Sequence, residues 1–223
     1  MTQLSFSVID IVPEEYAVTP NLTVQLRIEE TTGATIHALA LRCQVRIEPQ
    51  RRRYTDAEAA AMVDLFGGRE RWTSTLRSFL WMQCSTVVQG FSGACEVDLP
   101  MPCTYDFEVA ASKYLHALEE VRDGHDASIP IELLFSGTVF TKGTSGFGVQ
   151  QIPWDRECSF ELPVRAWRRL VNMHFPNTGW IRLDRDTLDA LASYRSERGM
   201  TGLDDAVVDL VRTARIAVGE VAG

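Results

Sequence analysis

Between Thr138 and Trp154 the chain reads TVFTKGTSGFGVQQIPW, a lysine among hydroxyl residues with glycines at 143, 146 and 148. Such residues could cradle a phosphate, because glycines free backbone amides to ring the anion while a lysine reaches in to neutralise it. That chemistry needs the lysine after the last glycine and a helix beyond it. Here Lys142 precedes every glycine of the stretch. Gly148 leads into Val149-Gln150-Gln151-Ile152-Pro153, which has strand character, so no helix N-terminus completes an anion site. A dinucleotide fingerprint fails on the same context. Thr141 to Gly146 is expected to be a turn joining two antiparallel strands; its functional alternative is a tip that touches a partner through Lys142 and Phe147.

Other reactive residue types are scattered. Histidines stand at 37, 116, 125 and 174, and no GxSxG elbow nominates a serine nucleophile. His174 falls on the apolar face of a predicted helix and reads as a hydrogen-bonded residue at the edge of the core, while His125, in Asp123-Gly124-His125-Asp126, reads as a turn residue. Asp184 with Asp186, and Asp204 with Asp205, begin helices, where free amides and the macrodipole favour negative charge without catalysis. The five cysteines, at 43, 84, 95, 103 and 158, include no CxxC pair and lack the ligand spacing of a zinc or iron–sulfur site. They read as buried or half-buried small hydrophobes in a reducing compartment. No catalytic, cofactor-binding or metal-ligating residue is nominated, and no cofactor is expected.

Partner-binding residues are easier to nominate. A net charge of -8 argues against broad affinity for nucleic acid, which needs a basic face to displace counterions. Of 22 basic residues only Lys113 and Lys142 are lysines, and the arginines cluster at Arg51-Arg52-Arg53, at Arg69 and Arg71, and at Arg165, Arg168 and Arg169. Such runs usually serve solubility, and otherwise offer planar bidentate donors to an interface. Trp154, Trp167 and Trp180 occur late in the chain; core is the default for tryptophan, but Pro153-Trp154-Asp155-Arg156 reads as a turn that exposes Trp154. Lys142, Phe147, Trp154, Arg165, Arg168 and Arg169 are the candidate contacts.

The elements that would carry these residues are set by periodicity. Leu22 to Glu29 and Leu39 to Ile47 alternate apolar and polar positions, which predicts an antiparallel meander with one wet face, turning at Thr31-Thr32-Gly33, with Ser5 to Ile11 a further strand ahead of it. Thr55-Asp56-Ala57-Glu58 matches a capping box, so a helix is predicted over 56–66, stopping at Gly67-Gly68. Phe79 to Gln89, Gly93 to Leu99, Tyr105 to Val109, Ile129 to Phe140, Phe147 to Pro153 and Cys158 to Leu162 read as strands, and Ala110 to Leu118 fits either a strand or a helix. Helices are predicted over Val164 to Phe175, Asp186 to Arg198 and Leu203 to Val218. The fold class is α+β: an antiparallel β-rich body, sheet or sandwich, over 1–162, and a C-terminal helical region over 163–223 packed on the same core. No apolar run approaches the roughly 20 residues of a membrane span. MTQLSFSVID lacks the basic and apolar regions of a secretory signal, so a cytoplasmic protein is expected.

At Tyr105-Asp106-Phe107-Glu108-Val109-Ala110-Ala111-Ser112-Lys113-Tyr114-Leu115, Leu133-Leu134-Phe135-Ser136-Gly137-Thr138-Val139-Phe140 and His174-Phe175-Pro176 the chain resembles an uncharacterised actinobacterial family encoded near high-affinity nickel–iron hydrogenases. The resemblance runs through most of the chain and carries over no active-site residue. It implies an accessory role, binding a hydrogenase subunit or assisting assembly of the complex. With no Cys/His cluster, protein binding is favoured over metal delivery. The alternative is a small-molecule binder or enzyme with a pocket between sheet and helices, using His116 or His174. A third possibility is a subunit that forms homo-oligomers through an edge strand.

Overall fold

The computed structural model describes residues 2–103, 109–122, 124–143, 146–179 and 181–221. Thus the alternation at 105–108, Asp123 of the His125 turn, Thr144-Ser145 of the glycine stretch and Trp180 lie outside the described residues.

The chain runs β1 (Leu4–Pro13), β2 (Asn21–Glu30) and β3 (Thr35–Ile47), then the short helices α1 (Asp56–Ala61), α2 (Val63–Phe66) and α3 (Trp72–Thr75). Strands β4 (Phe79–Ser92) and β5 (Ala94–Pro102) precede α4 (Ala110–Ala117), the two-residue strands β6 (Val121–Arg122) and β7 (His125–Asp126), and β8 (Ser128–Gly143). After β9 (Gly146–Gln151) and β10 (Glu157–Pro163) come α5 (Val164–His174), α6 (Arg185–Glu197) and α7 (Leu203–Val221). The protein is α+β, as its periodicities predict.

Two antiparallel sheets form the body. One has the order β1-β2-β5; the other has β10-β8-β3-β4, with β9 also paired to β8. Alternation decides what each strand buries: Leu39, Leu41, Cys43, Val45 and Ile47 of β3 point into the core, and the residues between them do not. The sheets meet face to face, Phe6 of β1 stacking on Phe135 of β8 with ring centroids 4.3 Å apart. This is a Greek-key sandwich with the strand order of immunoglobulin-like domains.

The expected meander of β2 and β3 is therefore not formed. β2 pairs with β1 and β5, while β3 crosses to the opposite sheet. The crossing is organised by the buried carboxylate of Glu30, which accepts hydrogen bonds from the amides of Gln3 (3.1 Å), Thr32 (3.0 Å) and Ala34 (2.8 Å) and from the Thr32 hydroxyl (2.5 Å). Gly33, at φ 80°, supplies the left-handed residue the turn needs.

The helix predicted over 56–66 is two helices, interrupted at fully buried Met62. Its capping box is present: the Glu58 amide donates to the Thr55 hydroxyl, and the Thr55 amide donates to the Glu58 carboxylate. Glu58 also accepts from Arg52 and from the Glu119 amide, in an ion pair whose two side chains are almost wholly buried. Of the two readings open for 110–118, the structure takes the helix, α4, whose Tyr114 lies edge-on to Tyr54, Phe66 and Phe79. The Tyr54 and Tyr114 hydroxyls are 2.8 Å apart. These contacts join the segment after β3 to the segment after β5.

The chain divides into two compact units, 1–180 and 181–223. The change of period at Pro163 marks the start of α5 and not this division. Val164, Trp167, Leu170 and Val171 of α5 belong to the sandwich core, so the expected boundary at 163 gives way to one at 181. Within the second unit α6 and α7 form a hairpin. Asp184 caps α6 by accepting from the Thr187 amide at 2.7 Å, and the Asp209 carboxylate of α7 accepts from the Tyr194 hydroxyl at 2.7 Å.

Candidate functional site

The glycine stretch is a strand pair. β8 and β9 run antiparallel in register from Thr138↔Gln151 to Gly143↔Gly146, with Lys142 opposite Phe147. A strand stands where a phosphate loop would need a helix. Gly137 serves packing: at φ 140° it faces β3 so closely that a Cβ would lie 2.0 Å from the Ala40 carbonyl oxygen.

Register places two adjacent cross-strand rows on the outer face of this sheet. One runs Gln89, Ala38, Phe140, Val149; the other runs Val87, Ala40, Thr138, Gln151. Val87, beside Ala40 on β4, is 73% exposed, and Val149, beside Phe140 on β9, is 61% exposed. Lys142, exposed, lies two residues beyond Phe140 on the same face. Beyond Gln151 the chain turns along the β8 edge, the Ile152 amide donating to the Gly137 carbonyl and the Phe135 amide to the Arg156 carbonyl. Trp154 sits in that turn, 90% exposed. Three of the predicted contacts, Lys142, Phe147 and Trp154, thus share one margin of the sandwich.

The arginines do not join them. Arg165 pairs with Asp126, Arg169 with Glu15, and Arg168 donates to the Leu118 carbonyl and pairs with Glu120 at 3.5 Å. All three fasten α5 to neighbouring segments. Arg69 likewise donates to the carbonyls of Tyr54 and Thr55 and to Asp56.

The histidines are also dispersed. His116 meets Trp167 edge-on at 4.7 Å, and burial, helped by the nearby Arg168 charge, pushes its pKa down to about 4, so the ring is neutral at neutral pH. His174 lies at the end of α5, tilted against Phe175, and His37 and His125 are exposed on strands. The five cysteines are free and buried or half-buried, with Cys43 directly opposite Cys84. Among the described residues no group of three or more His, Cys, Asp or Glu side chains is placed to hold a metal ion. Cavities of about 480, 290 and 540 Å³ lie respectively on α7, on the outer face around Arg42 and Ser136, and on α6; neither His116 nor His174 lines them. No described helix is long and apolar enough to cross a membrane.

The exposed rows are not legible from periodicity. Their signal is the pair Val87-Val88, apolar at both parities of β4, one of which must face outward.

No curated protein matches the sequence. Among solved structures, β-glucosidase 3B from Thermotoga neapolitana is similar at 16% identity over 72% of this chain and 17% of its own, with a TM-score of 0.24. A β-glucosidase from Kluyveromyces marxianus is similar at 10% identity over 72% of this chain and 15% of its own, also with a TM-score of 0.24. The chain spans less than a fifth of either enzyme. The profile of DUF6084, a family of unknown function, matches residues 1–218, and the chain belongs to that family.

Proposed function

We propose that this chain is a non-catalytic accessory protein whose sandwich binds another protein, and that a nickel–iron hydrogenase complex is what it serves. The observation that carries the binding role is the exposure of Val87 and Val149, on the two edge strands of one outer sheet face, and of Trp154 in the turn after β9. Apolar side chains left in water on one face mark interaction sites, and tryptophan is among the residue types enriched at interface anchors. Lys142, exposed on the same face, adds a cation. The hydrogenase as partner rests on the sequence resemblance alone.

Deleting the gene in its host and complementing with wild type or with Val87→Asp/Val149→Asp tests the proposal. Both positions are exposed, so the double variant is expected to accumulate normally. Hydrogenase assembly and activity should fall on deletion, return with wild type and stay low with the variant. Unchanged activity on deletion would refute the hydrogenase role, and full rescue by the variant would refute the surface.

A further inference from the structure

The α6–α7 unit has too little core of its own. Among its described side chains only Ala206 and Asp209 are buried, and both lie on the side of α7 that meets α6. Two-helix units of about 40 residues rarely hold together without a further surface to bury against. On another side of α7 a groove of about 480 Å³ is lined by Val207, Val208, Val211, Arg212, Arg215 and Ile216, with Val208 60% exposed.

The sequence of that side says what covers it. Asp204, Val208, Val211 and Arg215 fall at i, i+4, i+7 and i+11, a single stripe reading acid, valine, valine, base. Asp204 and Arg215 form no ion pair with any described residue, whereas Arg212 pairs with Asp209. An antiparallel copy of the stripe is its own complement. We propose that α7 packs antiparallel on α7 of a second copy of this chain about a twofold axis, with Asp204 facing Arg215 and Val208 facing Val211 in both directions. The contact is isologous, and the two hairpins together form a four-helix bundle. A parallel arrangement sets acid on acid and base on base. The inference does not rest on the partner surface of the sandwich, since it uses a different unit and is read by oligomeric state alone.

Sedimentation equilibrium of the full chain tests it. The expected mass is twice the 25.0 kDa chain at tens of micromolar, an order-of-magnitude range typical of modest interfaces. Asp204→Lys and Arg215→Glu, each alone, should raise the dimer dissociation constant on the order of tenfold, since each sets like charges opposite twice. An equimolar mixture of the two variants should dimerise again, because the introduced lysine of one chain meets the introduced glutamate of the other, and Arg215 of the first meets Asp204 of the second. Arg215 lies inside α7, away from its first turn, so Arg215→Glu keeps the test decisive even where Asp204→Lys weakens the helix start. A monomeric wild type would overturn the proposal. Arg215→Glu dimers as tight as wild type, or a mixture no tighter than its components, would overturn it equally.

Discussion

At the scale of single residues, Glu30 shows how one side chain routes the chain. Burial, the largest single influence, raises its pKa, but the hydrogen bonds from Thr32, Gln3 and Ala34 together outweigh it and hold the carboxyl at about 2. In the unfolded chain the group titrates near its ordinary 4.5. Between those values the unfolded state binds a proton that the folded state does not, so Glu30 stabilises fully above about 4.5 and its contribution is lost as pH falls toward 2. Glu30→Gln should destabilise by about 1–3 kcal/mol at neutral pH, the cost of leaving buried donors poorly matched. The gap from wild type should narrow as urea unfolding is repeated at decreasing pH, and a gap independent of pH would contradict this role. None of it is legible in Glu29-Glu30-Thr31-Thr32-Gly33, which reads as an ordinary turn. Which sheet a strand joins depends on what else competes for its edge, and β5, the competitor for β2, lies some seventy residues downstream.

At the scale of elements, the two segments inserted between strands hold each other. Glu58 caps α1 and also receives Arg52 and the amide of Glu119, so one carboxylate ties α1 to the chain just beyond α4. Glu58→Ala leaves Arg52 buried without its partner and should cost about 3–5 kcal/mol in chemical denaturation, well beyond the roughly 1 kcal/mol of a lost cap. A loss near 1 kcal/mol would mean that the capping role is the whole role. The capping box is readable from Thr55 and Glu58, and the strands from their alternation, because both signals are local. Helix α4 is not, because Ala110 to Leu118 carries a mixed pattern that Tyr114 settles only by packing among Tyr54, Phe66 and Phe79. The α5 stripe is legible as a helix face, but its membership of the sandwich core is not. Periodicity reports that a face is apolar and leaves open what it meets.

At the scale of the whole molecule, the candidate contacts sort into two kinds. Lys142 and Trp154 stand in solvent at one margin of the sandwich, with Phe147 in register beside Lys142, whereas Arg165, Arg168 and Arg169 are spent on intrachain ties. Composition marks both kinds alike; only the partners distinguish them. Val149 stands on β9 at that same margin, whereas Val87 stands on β4 at the opposite edge of the same outer face, with the alanines of β3 and the side chains of β8 between them. The measurement that addresses the central claim most directly is low-salt affinity purification of the tagged protein from its own host, beside Val87→Asp/Val149→Asp and Trp154→Ala. Wild type should recover hydrogenase subunits in stoichiometric amount, and the surface variants, whose own stability should change by less than about 0.5 kcal/mol, should lose them. Recovery of no hydrogenase subunit by wild type, or equal recovery by the variants, would contradict the account.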